Sequence, residues 1–185
     1  KKIVMKKKHI ICMLLIVVLL VCAGCDAATH TGFLLYKSSP LGFRIEYPDS
    51  WSKEVNLDKN SAAFFTPQEG FGDAYRENLA ITYEQLGESS FEQLFAQYHT
   101  SLPSVFPGYT QQEKSEVLID QQPAYKLLFT SEAKNDEESI ALKILQYIVC
   151  NEDRVYFITY SADPGNFDYF EPFVNTMLET FTFNV

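Results

Sequence analysis

Two neighbouring segments near the C-terminal end, "KILQYIVC" at 143–150 and "VYFITYSA" at 155–162, constrain this chain more than any other feature. In an extended strand alternate residues point to opposite faces, which puts Leu145, Tyr147 and Val149 on one side and Ile144, Ile148 and Cys150 on the other. Both sides are apolar, and "VYFITY" repeats the pattern. Strands apolar on both faces have to be covered on both faces, so these two belong in the middle of a layered structure. Ahead of them "EKSEVLI" and "AYKLLFT" complete a predicted meander with "IALKILQYIVC" and "RVYFITYSA". Its joints, "DQQP", "SEAKNDEES" and "NED", are short enough for antiparallel neighbours.

Two amphipathic segments can supply the covers. Ser89 with Glu92 three residues on reads as a capping box, followed by Phe91, Leu94, Phe95, Tyr98 and Leu102 at helical spacing. The prolines and glycine of "LPSVFPGY" close that helix. A second helix over 168–180 carries Phe170, Phe173, Val174, Met177, Leu178 and Phe181, with Pro172 placed in its first turn. Upstream, "FLLYK" and "GFRIEYP" flank "SSPL" as a hairpin, and "SAAFFTP" and "NLAITYEQL" are two further strands joined by "QEGFGDAYRE", read as a surface loop. Gly70-Phe71-Gly72 in that loop lacks the third glycine and the helix of a nucleotide fingerprint. The expected fold is α+β: a three-layer α/β/α sandwich with a helix on each face of one central, mainly antiparallel sheet, in a single domain over 33–185. Aromatic residues, 15% of the chain and spread along it, argue against a disordered stretch in that span.

The N-terminal part has a different character. Residues 10–21, "IICMLLIVVLLV", are all apolar and follow Lys6, Lys7 and Lys8, with Met5 read as the start. Twelve helical residues reach about 18 Å, short of the roughly 30 Å hydrocarbon core that a spanning helix crosses. Residues 1–24 are therefore read as a signal peptide. Cys22-Ala23-Gly24-Cys25 then resembles the lipobox of bacterial lipoproteins, with Cys22 standing where that motif usually has an aliphatic residue. The resemblance implies cleavage between Gly24 and Cys25 and lipidation of the Cys25 sulfur. Plain signal cleavage is the second reading, and a redox pair, which needs a folded helix N-terminus to lower a thiol pKa, the third. Residues 25–32 become a lipidated terminus and short tether. Five basic residues and no acidic ones precede Cys25, so the mature 161 residues keep ten bases against 24 acids, a formal charge of −14. Such a body is repelled by anionic lipid and has no basic patch for nucleic acid.

The catalytic inventory is thin. His30 falls in the tether, and His99, placed near the end of the first helix, is read as exposed or dipole-favoured rather than as a base. Cys150 is read as a small buried hydrophobe. No nucleophile elbow, zincin motif, Walker loop or zinc spacing occurs in the sequence. Glu132, Asp136, Glu137 and Glu138 gather in "EAKNDEES" and could offer oxygen ligands to a hard cation, but without EF-hand spacing they read as a solvated hairpin tip. Trp51 is read as a plug at the sheet end. No cofactor is expected.

The ordered set "GFRIEYPDSW", "AAFFTP", "QPAYKLLF" and "VYFITYSADPGNFDYFEPFVNTMLETFTF" resembles the PsbP-like family, which shares its fold with Mog-type proteins. The resemblance runs from about Phe33 to Phe183. It implies an α/β/α sandwich and an accessory or binding role without catalysis, and none of that family's metal or partner residues can be matched to a position here. The leading expectation is an extracytoplasmic lipoprotein held to the cell membrane through acylated Cys25, assisting a membrane protein complex without catalysis. A small-solute-binding lipoprotein is the alternative, and an enzyme the second alternative.

Overall fold

A computed structural model describes residues 30–68, 70, 75–134 and 139–183. The order is β1 (Phe33–Ser38), β2 (Phe43–Pro48), β3 (Ser52–Asn56), a 3-10 turn (Leu57–Lys59), β4 (Ser61–Phe65), β5 (Asn78–Gln85), α1 (Phe91–Val105), β6 (Thr110–Ile119), β7 (Gln122–Lys134), β8 (Ser139–Asn151), β9 (Arg154–Ala162) and α2 (Phe167–Thr180). Among the described residues seven strands form one sheet in the order β3-β4-β5-β9-β8-β7-β6, every pairing antiparallel. The two-sided strands β8 and β9 take central places, as their apolar faces demand.

Each face of the sheet carries one core. On one side α1 buries Phe95 and Leu102 against Leu127, Phe129, Leu142, Ile144, Ile148 and Val155. On the other, α2 buries Phe167, Phe170, Val174 and Met177 against Leu145, Val149, Tyr156, Ile158 and Tyr160. The alternation expected along β8 is therefore the one observed, with the helices on opposite faces.

The hairpin departs from the expectation of one sheet. Among the described strands β1 and β2 form a ladder only with each other, and they lie in the α2 layer, where Phe43, Ile45 and Tyr47 enter the core. β2 lies beside the C-terminal half of α2: Glu46 N–H donates to Thr180 Oγ1, and Arg44 exchanges backbone hydrogen bonds with Thr182. The hairpin tip rests on β9, where Tyr156 OH donates to Leu41 O at 3.0 Å. Gly42 is required there. Its φ is +76°, and a Cβ would meet the Tyr156 hydroxyl at 2.6 Å.

Other boundaries move for local reasons. The cap of α1 is Ser90 with Gln93, one residue beyond Ser89 and Glu92; Gln93 N–H donates to Ser90 Oγ and Ser90 N–H to Gln93 Oε1. α1 also continues through Pro103 to Val105, because fully buried Leu102 and the Phe106 N–H to Leu102 O bond hold its last turn. Pro172 stands sixth in α2, in the second turn, and costs one intrahelical bond there. β3 went unforeseen: all five of its side chains are exposed, so "SKEVN" has no buried face to read, and its Lys53 and Glu54 blunt a sheet edge.

Candidate functional site

Among the described residues a cleft of about 590 Å³ lies between the N-terminus of α1 and the paired ends of β6 and β7, a size typical of ligand sites. It follows from topology. β6 is the edge strand, and α1 covers β7 and β8 but stops short of β6's last residues, so Leu118, paired with Pro123, stands 68% exposed. Phe95 stacks on Tyr125 with ring centres 3.6 Å apart, and Phe91 packs on the same ring at 5.5 Å. Phe91, Leu118, Pro123 and Tyr125 make the apolar lining, with Glu92 and Glu116 as the charged members. The Glu92 carboxyl lies below its ordinary range because its own backbone N–H and the Ser90 hydroxyl stabilise the anion. The lysine nearest along this strand face, Lys114, lies over the Phe95 ring at 5.0 Å. An apolar pocket with two carboxylates suits an apolar group that carries a cation.

The groups weighed for catalysis do not converge. His99 lies in the middle of α1 rather than at its end, so the dipole argument does not apply. Its Nε2 is 2.6 Å from Gln111 Oε1 and its ring stacks on Phe95. Cys150 is half-buried at the far end of β8, and burial, with Asp153 and Glu92 adding to it, pushes its thiol pKa up, away from reactivity. Among the described residues no group of three His, Cys, Asp or Glu could hold a metal ion. Glu132 accepts a hydrogen bond from Ser139 Oγ at 3.0 Å, while Asp136, Glu137 and Glu138 lie outside the described residues.

Two buried polar groups escaped the sequence. Glu77, read as part of a surface loop, is fully buried; Thr66 Oγ1 and Asn166 Nδ2 donate to its carboxylate at 3.3 and 3.0 Å. It ties the connection between β4 and β5 to the N-cap of α2, and no local pattern could announce a partner 89 residues away. In the α1 layer Tyr98 OH donates to buried Gln146, whose amide donates to Thr159; burial pushes the Tyr98 pKa up to about 12.

Trp51 is the end plug expected of it, 5% exposed and edge-on to Phe170 at 6.1 Å. Outside it a smaller hollow of about 240 Å³ is lined in part by Pro67, Tyr169 and Phe173. His30, assigned to the tether, is bonded into the body: its backbone N–H and its Nδ1 both meet Glu46 Oε2, at 2.9 and 2.6 Å. Burial alone would raise the Glu46 pKa, but those two bonds and the charges of His30 and Arg44 outweigh it, and the carboxyl lies below its ordinary value. A depressed folded-state pKa adds stability that is complete above the unfolded value of 4.5 and is lost as pH falls through the folded one. Glu46→Gln should therefore lower stability near neutrality by about 2 kcal/mol and flatten its fall between pH 5 and 3, read by thermal unfolding across that range.

Compared by sequence, the chain matches no family model and no curated protein. Compared by structure, it is similar to PsbP of the cyanobacterium Synechocystis, with a TM-score of 0.58 and 14% identity over 87% of this chain and 98% of that one. LpqN of Mycobacterium tuberculosis, described as involved in cell envelope biogenesis, gives a TM-score of 0.58 at 11% identity, over 76% and 82% of the two chains. A Pseudomonas aeruginosa protein of unknown function gives 0.58 at 19% identity, over 80% and 94%. The chain thus has an α+β, PsbP-like fold. At these identities the likeness is one of fold.

Proposed function

We propose that this chain is a lipid-anchored, extracytoplasmic binding protein that assists a membrane protein complex without catalysis, gripping its partner in the cleft between α1 and β6–β7. The observation that carries the reading is the order of parts at the N-terminus. A twelve-residue apolar run, too short to span, ends in Cys22-Ala23-Gly24-Cys25, and His30, bonded to Glu46 of the body, follows five residues later. Five residues extend at most about 18 Å, so an acylated Cys25 keeps the domain against the bilayer. Two or more acyl chains suffice for stable anchoring. Among the described residues no helix is long and apolar enough to cross a membrane. The lining of the cleft supports, as its occupant, an apolar segment with a basic residue placed against Glu92 and Glu116.

A photo-crosslinking residue in place of Leu118, used in intact membranes, should capture one specific membrane protein. Adding Glu116→Lys to that protein should sharply weaken capture while leaving stability within about 0.5 kcal/mol, since Glu116 is exposed. Capture of nothing beyond what a control lipoprotein gives would contradict the proposal. The volume of the cleft also suits a small cationic solute, the second reading. A solute at 100 times its dissociation constant would add about 2.7 kcal/mol of stability, which a thermal-shift screen detects.

A further inference from the structure

Among the described residues four exposed large apolar side chains gather together, while Val55, Leu57, Val105 and Leu118 stand on other elements. Leu34 and Leu35 stand open at the start of β1, and Tyr169 and Phe173, 68% and 38% exposed, on the N-terminal half of α2. The register Phe33↔Pro48 sets the start of β1 beside the end of β2, three residues before Trp51. Trp51 packs on Phe170, next to Tyr169 in α2. These groups thus occupy one end of the hairpin–α2 layer, on the side of the sheet away from the cleft. The chain from Cys25 joins the body at that same end: Asp49 N–H donates to Gly32 O, and His30 is clamped to Glu46.

We propose that this end of the domain, centred on Tyr169, Phe173 and the hollow in front of Trp51, with Leu34 and Leu35 at its border, rests on the bilayer surface as a second, non-covalent contact that orients the anchored body. This rests on the anchor proposed above, and the geometry of the join selects the occupant. With at most about 18 Å of chain between the lipidated residue and His30, the end bearing His30 stays nearest the bilayer surface, whatever the rest of the body does. Aromatic side chains with a polar tip, and leucines beside them, are the groups that partition into the headgroup layer. Charge adds no net attraction: Asp49 and Glu171 lie at this end, Arg76 is held by Thr66 O and Ser52 Oγ beside them, and Asp168 is paired with Lys143 at 3.1 Å. The contact is therefore apolar, favours zwitterionic lipid, and is insensitive to salt. It also turns the cleft of α1 and β6–β7 away from the lipid.

Trp51 is the only tryptophan in the chain and lies directly behind the patch, so it reports the contact without modification. The acylated full-length protein is incorporated into phosphatidylcholine vesicles with and without a nitroxide on the headgroup, and flotation is scored in the same samples. The protein should float, and Trp51 should lose emission to the nitroxide at low and high salt alike. A Trp51→Phe, Leu118→Trp variant should float and keep its emission, because the cleft faces away. Tyr169→Ser with Phe173→Ser should float with weaker quenching of Trp51. Flotation with no quenching of Trp51, or with equal quenching at Leu118→Trp, overturns the orientation while leaving the anchor standing. Emission that shifts with protein density in unlabelled vesicles overturns it too, and assigns the patch to a second copy. Failure of the wild-type protein to float overturns the anchor, and this inference with it.

Discussion

Cys25→Ala should abolish the lipidated, membrane-bound form, leaving soluble protein or an unprocessed precursor of higher mass. The effect is expected to be nearly complete because nothing else in the chain matches the anchor in energy. Each buried methylene contributes about 0.8 kcal/mol, so two long acyl chains outweigh any contact a folded surface makes with lipid. Basic residues near a membrane add about 1 kcal/mol each, yet residues 25–185 carry ten of them against 24 acids, and their net field opposes anionic lipid. The aromatic end of the α2 layer contributes area for only a few side chains, enough to orient a tethered body but not to hold a free one. Flotation of membranes from cells expressing each form, with labelled fatty acid, reads the outcome. A Cys25→Ala protein that is processed normally and still floats would contradict the anchor.

Phe43→Ala should cost about 4 kcal/mol, a large share of the 5–15 kcal/mol that holds a domain of this size folded. Phe43 is 1% exposed, stacks on Phe181 at 5.4 Å just past α2, and meets Tyr36 of its own hairpin at 5.8 Å. The hairpin shares no ladder with the seven-stranded sheet, so side-chain packing, helped by the Tyr156 and Arg44 hydrogen bonds, is what fixes it there. Removing the ring leaves a cavity where hairpin, α2 and sheet meet, and no neighbour is free to fill it. The functional consequence follows from position, since the hairpin carries His30 and the join to the tether. Denaturant unfolding reads the change; a loss below about 1 kcal/mol would show that the hairpin is held some other way.

How far the fold could be read from residues depends on whether a feature is local. The two-sided apolarity of β8 and β9 predicted covers on both faces, and the periodic stripes of α1 and α2 supplied them, because period and burial are both written into short windows. The edge strand β3 escaped since none of its side chains is buried, and the placement of β1–β2 escaped since a hairpin's pattern is the same in a sheet or beside a helix. The cleft was even less legible. Phe91 read as core and Leu118 as one end of a strand; only the stopping point of α1 over the sheet edge leaves them open to a ligand. Glu77 looked like loop charge until Asn166 and Thr66 closed on it from distant parts of the chain. Trp51 was placed correctly as a plug, but its neighbourhood to Tyr169, Phe173 and the tether joins three separated segments.

The central claim is that acyl chains on one sulfur hold a compact acidic domain at the outer face of a cell membrane. Mass spectrometry of the N-terminal peptide from membrane-purified protein tests it most directly. The account predicts a chain that begins at Cys25 with a diacylglyceryl thioether on its sulfur. A free thiol at Cys25 in the processed protein, or an intact precursor retaining residues 1–24, would contradict it.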